Sequence, residues 1–113
     1  MKTTDRIKYR SQFGHTYDCR FKATRYASNG NLALILVDAE TDERILAATV
    51  NIAAALPDDR IAVKDYSENK GMADFLKKIG IIQPEPVKVI PSGWVEIPVF
   101  ELTESGKELF EGV

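Results

Sequence analysis

Polar and apolar residues alternate strictly from Tyr17 to Thr24. Tyr17, Cys19, Phe21 and Ala23 fall on one side, and Asp18, Arg20, Lys22 and Thr24 on the other. Period two predicts a half-buried strand with its aromatics inward. Ser28-Asn29-Gly30-Asn31 follows, and its Asn-Gly pair tolerates positive φ, a hairpin signal. The next run, Leu32 to Val37, is apolar at every position, as expected of a central strand covered on both faces. After the acidic turn Asp38–Arg44, apolar residues resume from Ile45 to Ile52 as a third strand of an antiparallel meander. Ala53 to Asp59 breaks the pattern at Pro57, and Arg60–Lys64 predicts a short fourth strand.

The period then changes. Met72, Phe75, Leu76 and Ile79 recur at i, i+3, i+4 and i+7, which predicts the main helix over about 70–79. Asn69 is its expected N-cap. Lys77 and Lys78 complement the dipole in the last turn, and Gly80 stands where a left-handed C′ residue belongs, with Ile81 folding back. Val87–Ile90 and Trp94–Leu102 predict a second hairpin across Pro91-Ser92-Gly93. Pro98 cannot donate to a ladder, which argues for an edge strand or a bulge there. Thr103 opens a short C-terminal helix that would dock Leu109 and Phe110. The expected fold is α+β: a mostly antiparallel sheet of five or six strands, one main helix and a short C-terminal helix. Residues 1–14 read as a loosely ordered basic arm, and residues 15–113 as a single domain.

Length and composition narrow the class. The chain has 113 residues, the size of one domain with its own core. Cys19 is the sole cysteine, so an intramolecular disulfide or a cysteine-based metal site is out, and a reducing cytoplasm is the expected setting. Met1 to Arg6 leads into no apolar run, so no signal peptide is expected. Leu32–Val37 falls far short of the ~20 residues of a membrane span. Charge is uneven. Residues 1–30 carry seven basic groups against Asp5 and Asp18, a net of +5 within an overall −2. Such a split marks either a basic binding surface or two halves of one solvated surface.

Enzymatic templates find little support. No glycine-rich phosphate loop joins a strand to a helix. His15 and Cys19 lie close in sequence, but Cys19 falls on the apolar face of a strand, where a thiol is inert. The acids of Asp38–Glu43 lack the glycine and glutamate that a calcium loop needs. No metal or cofactor is expected. Two constellations remain. Lys64, Asp65, Tyr66, Glu68 and Asn69 form the densest polar stretch and are the first candidate for a partner-binding loop. Their structural reading is a strand end followed by a helix cap. Asp65 and Glu68 would also be the pair for acid–base or metal-assisted chemistry. The second constellation is the basic face Arg20, Lys22 and Arg25, with Arg6, Lys8 and Arg10 nearby and Tyr9 and Tyr26 as stacking surface for nucleic acid.

Leu32–Leu36, Glu40-Thr41-Asp42-Glu43, Thr49-Val50-Asn51, Val63–Asn69, Leu76 and Gly80-Ile81 together resemble an uncharacterised family of small bacterial proteins carried by phages and conjugative elements. The resemblance covers residues 30–82 and implies a context, an accessory protein of a mobile element, with no activity to carry over. It favours binding a macromolecule over metabolic catalysis. The expectation is a non-enzymatic accessory protein that binds a protein partner or itself. Nucleic-acid binding through the basic face is the alternative, and an enzyme at Asp65/Glu68 the second alternative.

Overall fold

The computed structural model describes all 113 residues, Met1 to Val113. It is an α+β fold built of two antiparallel sheets. The first holds four strands in chain order: β1 (Ile7–Arg10), β2 (Thr16–Arg25), β3 (Leu32–Asp38) and β4 (Arg44–Ala47). The second holds β5 (Arg60–Ala62), β6 (Lys88–Ser92) and β7 (Val95–Glu101), with β7 in the centre. Helices α1 (Met72–Lys78) and α2 (Glu104–Leu109) complete it.

The single sheet of five or six strands is therefore two sheets of four and three. The division falls inside the stretch Ile45–Ile52, expected as one strand. Ala48 N–H still donates to the Leu34 carbonyl on β3, but Val50 N–H turns to Ala62, and Lys64 N–H returns to the Ala48 carbonyl. Thr49 faces Val63 in an isolated bridge that joins the two sheets. One chain segment cannot follow both twisted partners, so the pairing changes hands at Ala48.

Strand alternation sorts the side chains. Tyr9, Cys19, Phe21, Leu34 and Leu36 share the inner face of the first sheet and pack with Met72 and Leu76 of α1 and Leu109 of α2. Within the stretch 1–14, expected as a loosely ordered arm, Ile7–Arg10 forms β1 against Thr16–Cys19. Ile7 and Tyr9 alternate inward there. Tyr9 is 2% exposed and meets the Phe75 ring edge-on at 5.0 Å, so it belongs to the core. β3 is central and, apart from half-buried Ile35, its apolar run is buried on both faces as expected, although no helix lies on the outer one.

Pro98 needs a correction. It sits in the central strand of the second sheet, not on an edge. Pairing with β5 ends at Ala62↔Val99, one step before Pro98. Val63 N–H donates to the Pro98 carbonyl, and no reciprocal bond is required from the imide nitrogen. The missing donor thus falls where the ladder stops. β7 is covered on both faces. Phe100 joins the main core, while Ile97 and Val99 form a smaller cluster with Ile52 and Ala62 on the other side.

The ends of the helices explain their neighbours. α1 closes as expected: Ile81 N–H bonds the Leu76 carbonyl and Gly80 N–H the Lys77 carbonyl, the paired bonds of a left-handed glycine stop. Its start differs. Asn69 is not the cap; Ser67–Asn69 forms a separate 3-10 turn, and Gly71, at φ 97°, precedes the helix. That backbone requires glycine, and it breaks the continuous helix expected from residue 70. Thr103 caps α2 through Gly106 N–H at 3.1 Å. A Cβ at Gly106 would overlap the Ile81 carbonyl, so the close packing of α2 on the end of α1 depends on glycine there.

Candidate functional site

The stretch Lys64–Asn69 is consumed by the fold. Asp65 accepts from Gly71 N–H at 3.1 Å and Ala73 N–H at 3.0 Å, so it is the cap of α1 from six residues upstream. Two of the orphan amides at the helix start are satisfied this way. Asn69 is 1% exposed and donates its Nδ2 to the Ala47 carbonyl at 2.6 Å. This bond ties the turn to the end of β4. Lys64 Nζ meets Glu68 Oε1 at 2.5 Å and lies 5.7 Å from the centre of the Tyr66 ring. The hydrogen bond from Lys64 holds the Glu68 carboxyl below its ordinary pKa. Tyr66 itself packs on the Ile52–Val99 cluster. Asp65 and Glu68 thus engage different partners, and neither lines the cavities of about 370, 320 and 290 Å³.

The basic trio divides. Even-numbered residues of β2 point to the outer face of the sheet, so Arg20 and Lys22 stand there together. Arg25, of odd parity at the end of the strand, borders the outer-face cavity but commits its guanidinium elsewhere: its Nη1 reaches Asp58 at 3.0 Å and the Gly30 carbonyl at 2.9 Å. That ion pair lowers the Asp58 pKa. Of the two tyrosines expected to stack on nucleic acid, Tyr9 is in the core. Tyr26 is half-buried, with its hydroxyl 3.0 Å from Thr49 Oγ1. The thiol of Cys19, pushed up to about 11 by burial, is inert near neutrality.

The outer face of the first sheet gathers what the sequence scattered. Cross-strand register sets Arg20 beside Val37 and Val37 beside Arg44; the next row sets Lys22 beside Ile35 and Ile35 beside Ala47. Ala33, Ile35 and Val37 form a floor along β3, with β2 on one side and β4 on the other. A cavity of about 320 Å³ lies over this floor, bounded by Lys22, Thr24, Arg25, Tyr26, Arg44 and Asp42, the last neutralised by Arg20. The two walls stand two strand spacings apart, roughly 10 Å. Arg20 is held by Asp42, but Lys22 and Arg44 have no ion-pair partner. Lys8 and Arg10 extend the positive charge across β1 on the same face, again unpaired; Asp18 is bound to Arg6.

Arg44 and the β3 floor escaped the sequence reading. In the sequence Arg44 closes the acidic turn, and only the β3–β4 register brings it opposite Val37. One signal was present. A meander supplies no crossover helix for its outer face, so neighbouring side chains must cover a strand apolar at every position; they bury Ala33 and Val37 and leave Ile35 half-exposed. A group of three His, Cys, Asp or Glu side chains spaced to hold a metal ion does not occur. No helix is long and apolar enough to cross a membrane. No protein-family model, no curated protein and no solved structure matches this chain.

Proposed function

We propose that this protein is a non-enzymatic interaction module that docks an acidic amphipathic helix of a partner protein on the outer face of its four-stranded sheet. One observation carries the reading: half-buried Ile35, flanked on β3 by the buried Ala33 and Val37, lies between two unpaired cations, Lys22 and Arg44, and no helix of the chain lies over it. A sheet face with an apolar centre is ordinarily covered by a helix. A helix about 10 Å in diameter matches the roughly 10 Å between the walls. An apolar stripe would meet Ile35, and carboxylates on both flanks would meet Lys22 and Arg44. The resemblance to mobile-element proteins points to the same role, an accessory factor acting on another macromolecule.

Nucleic acid is the competing ligand for a basic face. Single-stranded binding relies on aromatic platforms. This floor is aliphatic, and Tyr9 is buried. The phosphate charges would find Lys8, Arg10, Lys22 and Arg44, but the bases would find no ring to stack on. Catalysis at Asp65 and Glu68 is disfavoured, because each carboxylate is already spent on a contact within the fold.

The test is a titration of the isotope-labelled protein with a synthetic acidic amphipathic helix and, separately, with a single-stranded oligonucleotide. The helix is expected to shift the amides of Lys22, Ile35 and Arg44. A Lys22→Glu/Arg44→Glu double variant should bind it at least tenfold more weakly. Equal binding by that variant, or a stronger salt-sensitive response to the oligonucleotide, overturns the reading.

A further inference from the structure

The odd-numbered residues of β2 hold a second feature, which shares Lys22 with the outer face but not Arg44. Tyr26 N–H bonds Asn31, and Ala39 N–H bonds Asp18. These bonds assign the even-numbered residues of β2 to the ladder with β3. The odd-numbered residues therefore direct their N–H and C=O groups to the other side, toward β1. β1 covers only the first half of that edge, with Ile7↔Cys19 as its last pair. Phe21, Ala23 and Arg25 continue past it, and their backbone groups have no hydrogen-bond partner within the chain. Phe21 is 2% exposed, so its unpaired ladder groups are buried, a rare condition in a folded protein; Ala23 is half-buried and Arg25 exposed.

A cavity of about 370 Å³ runs along this half-edge. Its outer side carries Lys22, Val37 and the Arg20–Asp42 ion pair, its inner side Leu109, Glu111 and Val113, and Thr3 of the N-terminal segment also borders it. We propose that the open half of β2 binds an extended segment of a partner protein as an added antiparallel strand, with acidic and apolar side chains at alternate positions. Both existing neighbours of β2 are antiparallel to it, and the added strand continues the direction of β1. Residues of the segment opposite Phe21 and Ala23 exchange backbone bonds and point their side chains inward, onto Leu109 and Val113. Residues opposite Lys22 point outward, where a carboxylate meets an unpaired ammonium. Glu111 on the inner side repels acids there and so fixes which positions are acidic. The main chain supplies affinity and the alternation supplies register. A second copy of this chain is a poor occupant, since pairing two β2 edges would bring Lys22 and Arg20 against their own counterparts.

The probe is an acetylated, amidated hexapeptide of alternating valine and glutamate, titrated into the full chain by calorimetry and followed by amide shifts. Binding should protect the amides of Phe21 and Ala23. N-methylation of the valines, whose N–H groups face β2, should weaken binding at least tenfold, and N-methylation of the glutamates should change it less than twofold. Ala23→Pro removes an edge N–H that no ladder bond uses, so the fold tolerates it; this variant should also bind at least tenfold more weakly. If it unfolds, the methylated peptides on the unsubstituted protein still decide the matter. Arg44→Glu weakens helix docking on the outer face but should leave hexapeptide binding unchanged, which separates the two sites. Absence of hexapeptide binding, or an equal effect of both methylation patterns, overturns strand addition.

Discussion

The Lys64–Asn69 loop and the outer face of β2 to β4 hold the same kinds of side chain and differ in what the fold leaves over. In the loop Lys64, Asp65, Glu68 and Asn69 are each engaged within a few residues or on the adjoining strand. Asp65 caps α1, Asn69 holds Ala47, and Lys64 holds Glu68. On the outer face, residues far apart in sequence converge, and two cations remain unpaired over an apolar floor. Polar density along a chain measures how much local geometry must be satisfied. Availability for a ligand depends instead on cross-strand register.

That contrast breaks if the loop proves dispensable to folding. The largest expected effect is at Asn69. Asn69→Ala removes the donor to the Ala47 carbonyl inside a 1% exposed site and should cost about 2 kcal/mol in urea unfolding. Its Oδ1 already lacks a partner, so the donor side carries the stabilisation. A loss near zero would mean that the turn is free to act as a site. Asp65→Ala comes next, at about 1 kcal/mol, the usual value of a helix cap. Asp65→Asn should recover most of it, since an amide oxygen still accepts from Gly71 and Ala73. Equal destabilisation by both substitutions would point to a need for the charge and reopen the question of a ligand there.

These contacts explain which parts of the fold were legible in the sequence. Periods of two and 3.6 residues reveal β2, β3 and α1, because alternation follows directly from which face is buried. The glycine stop at Gly80 and the Thr103 cap were legible for the same reason: each depends on neighbours a few residues away. β1 was hidden because its inward residues, Ile7 and Tyr9, are only two and lie among charges. Asn69 looked like a cap because it precedes the helical stretch. The true cap, Asp65, is visible only once Gly71 is known to turn left-handed. The division into two sheets depends on one segment changing partners at Ala48, and no local pattern records a partner. The outer-face site was half legible. Arg20 and Lys22 share the parity of one strand, whereas Arg44 and the missing cover require register and topology.

A smaller effect sharpens the contrast through pH. Lys64 lowers the Glu68 pKa in the folded state, so the pair stabilises fully above the ordinary glutamate value of about 4.3. That contribution disappears as pH falls through the lowered folded value. The gap in stability between the native chain and Glu68→Gln should therefore be small at pH 7 and shrink as the pH is lowered below about 4. A gap that widens in acid would assign Glu68 a different partner.

The smallest expected change in stability is at the outer face, and its smallness is the point. Lys22 and Arg44 are exposed and make no ion pair, so their folded environment differs little from the unfolded one. Lys22→Ser and Arg44→Ser should each alter stability by no more than about 0.5 kcal/mol. Relief of repulsion among Lys8, Arg10, Lys22 and Arg44 would make the sign slightly favourable at low salt, and screening would remove it at high salt. The same substitutions should cost the acidic helix most of its affinity. A protein that gains or loses nothing in stability from a pair of cations, yet loses a ligand with them, holds those cations for binding. If instead thermal unfolding shifts strongly when they are replaced, they belong to the fold as Asn69 does, and the difference between the two regions disappears.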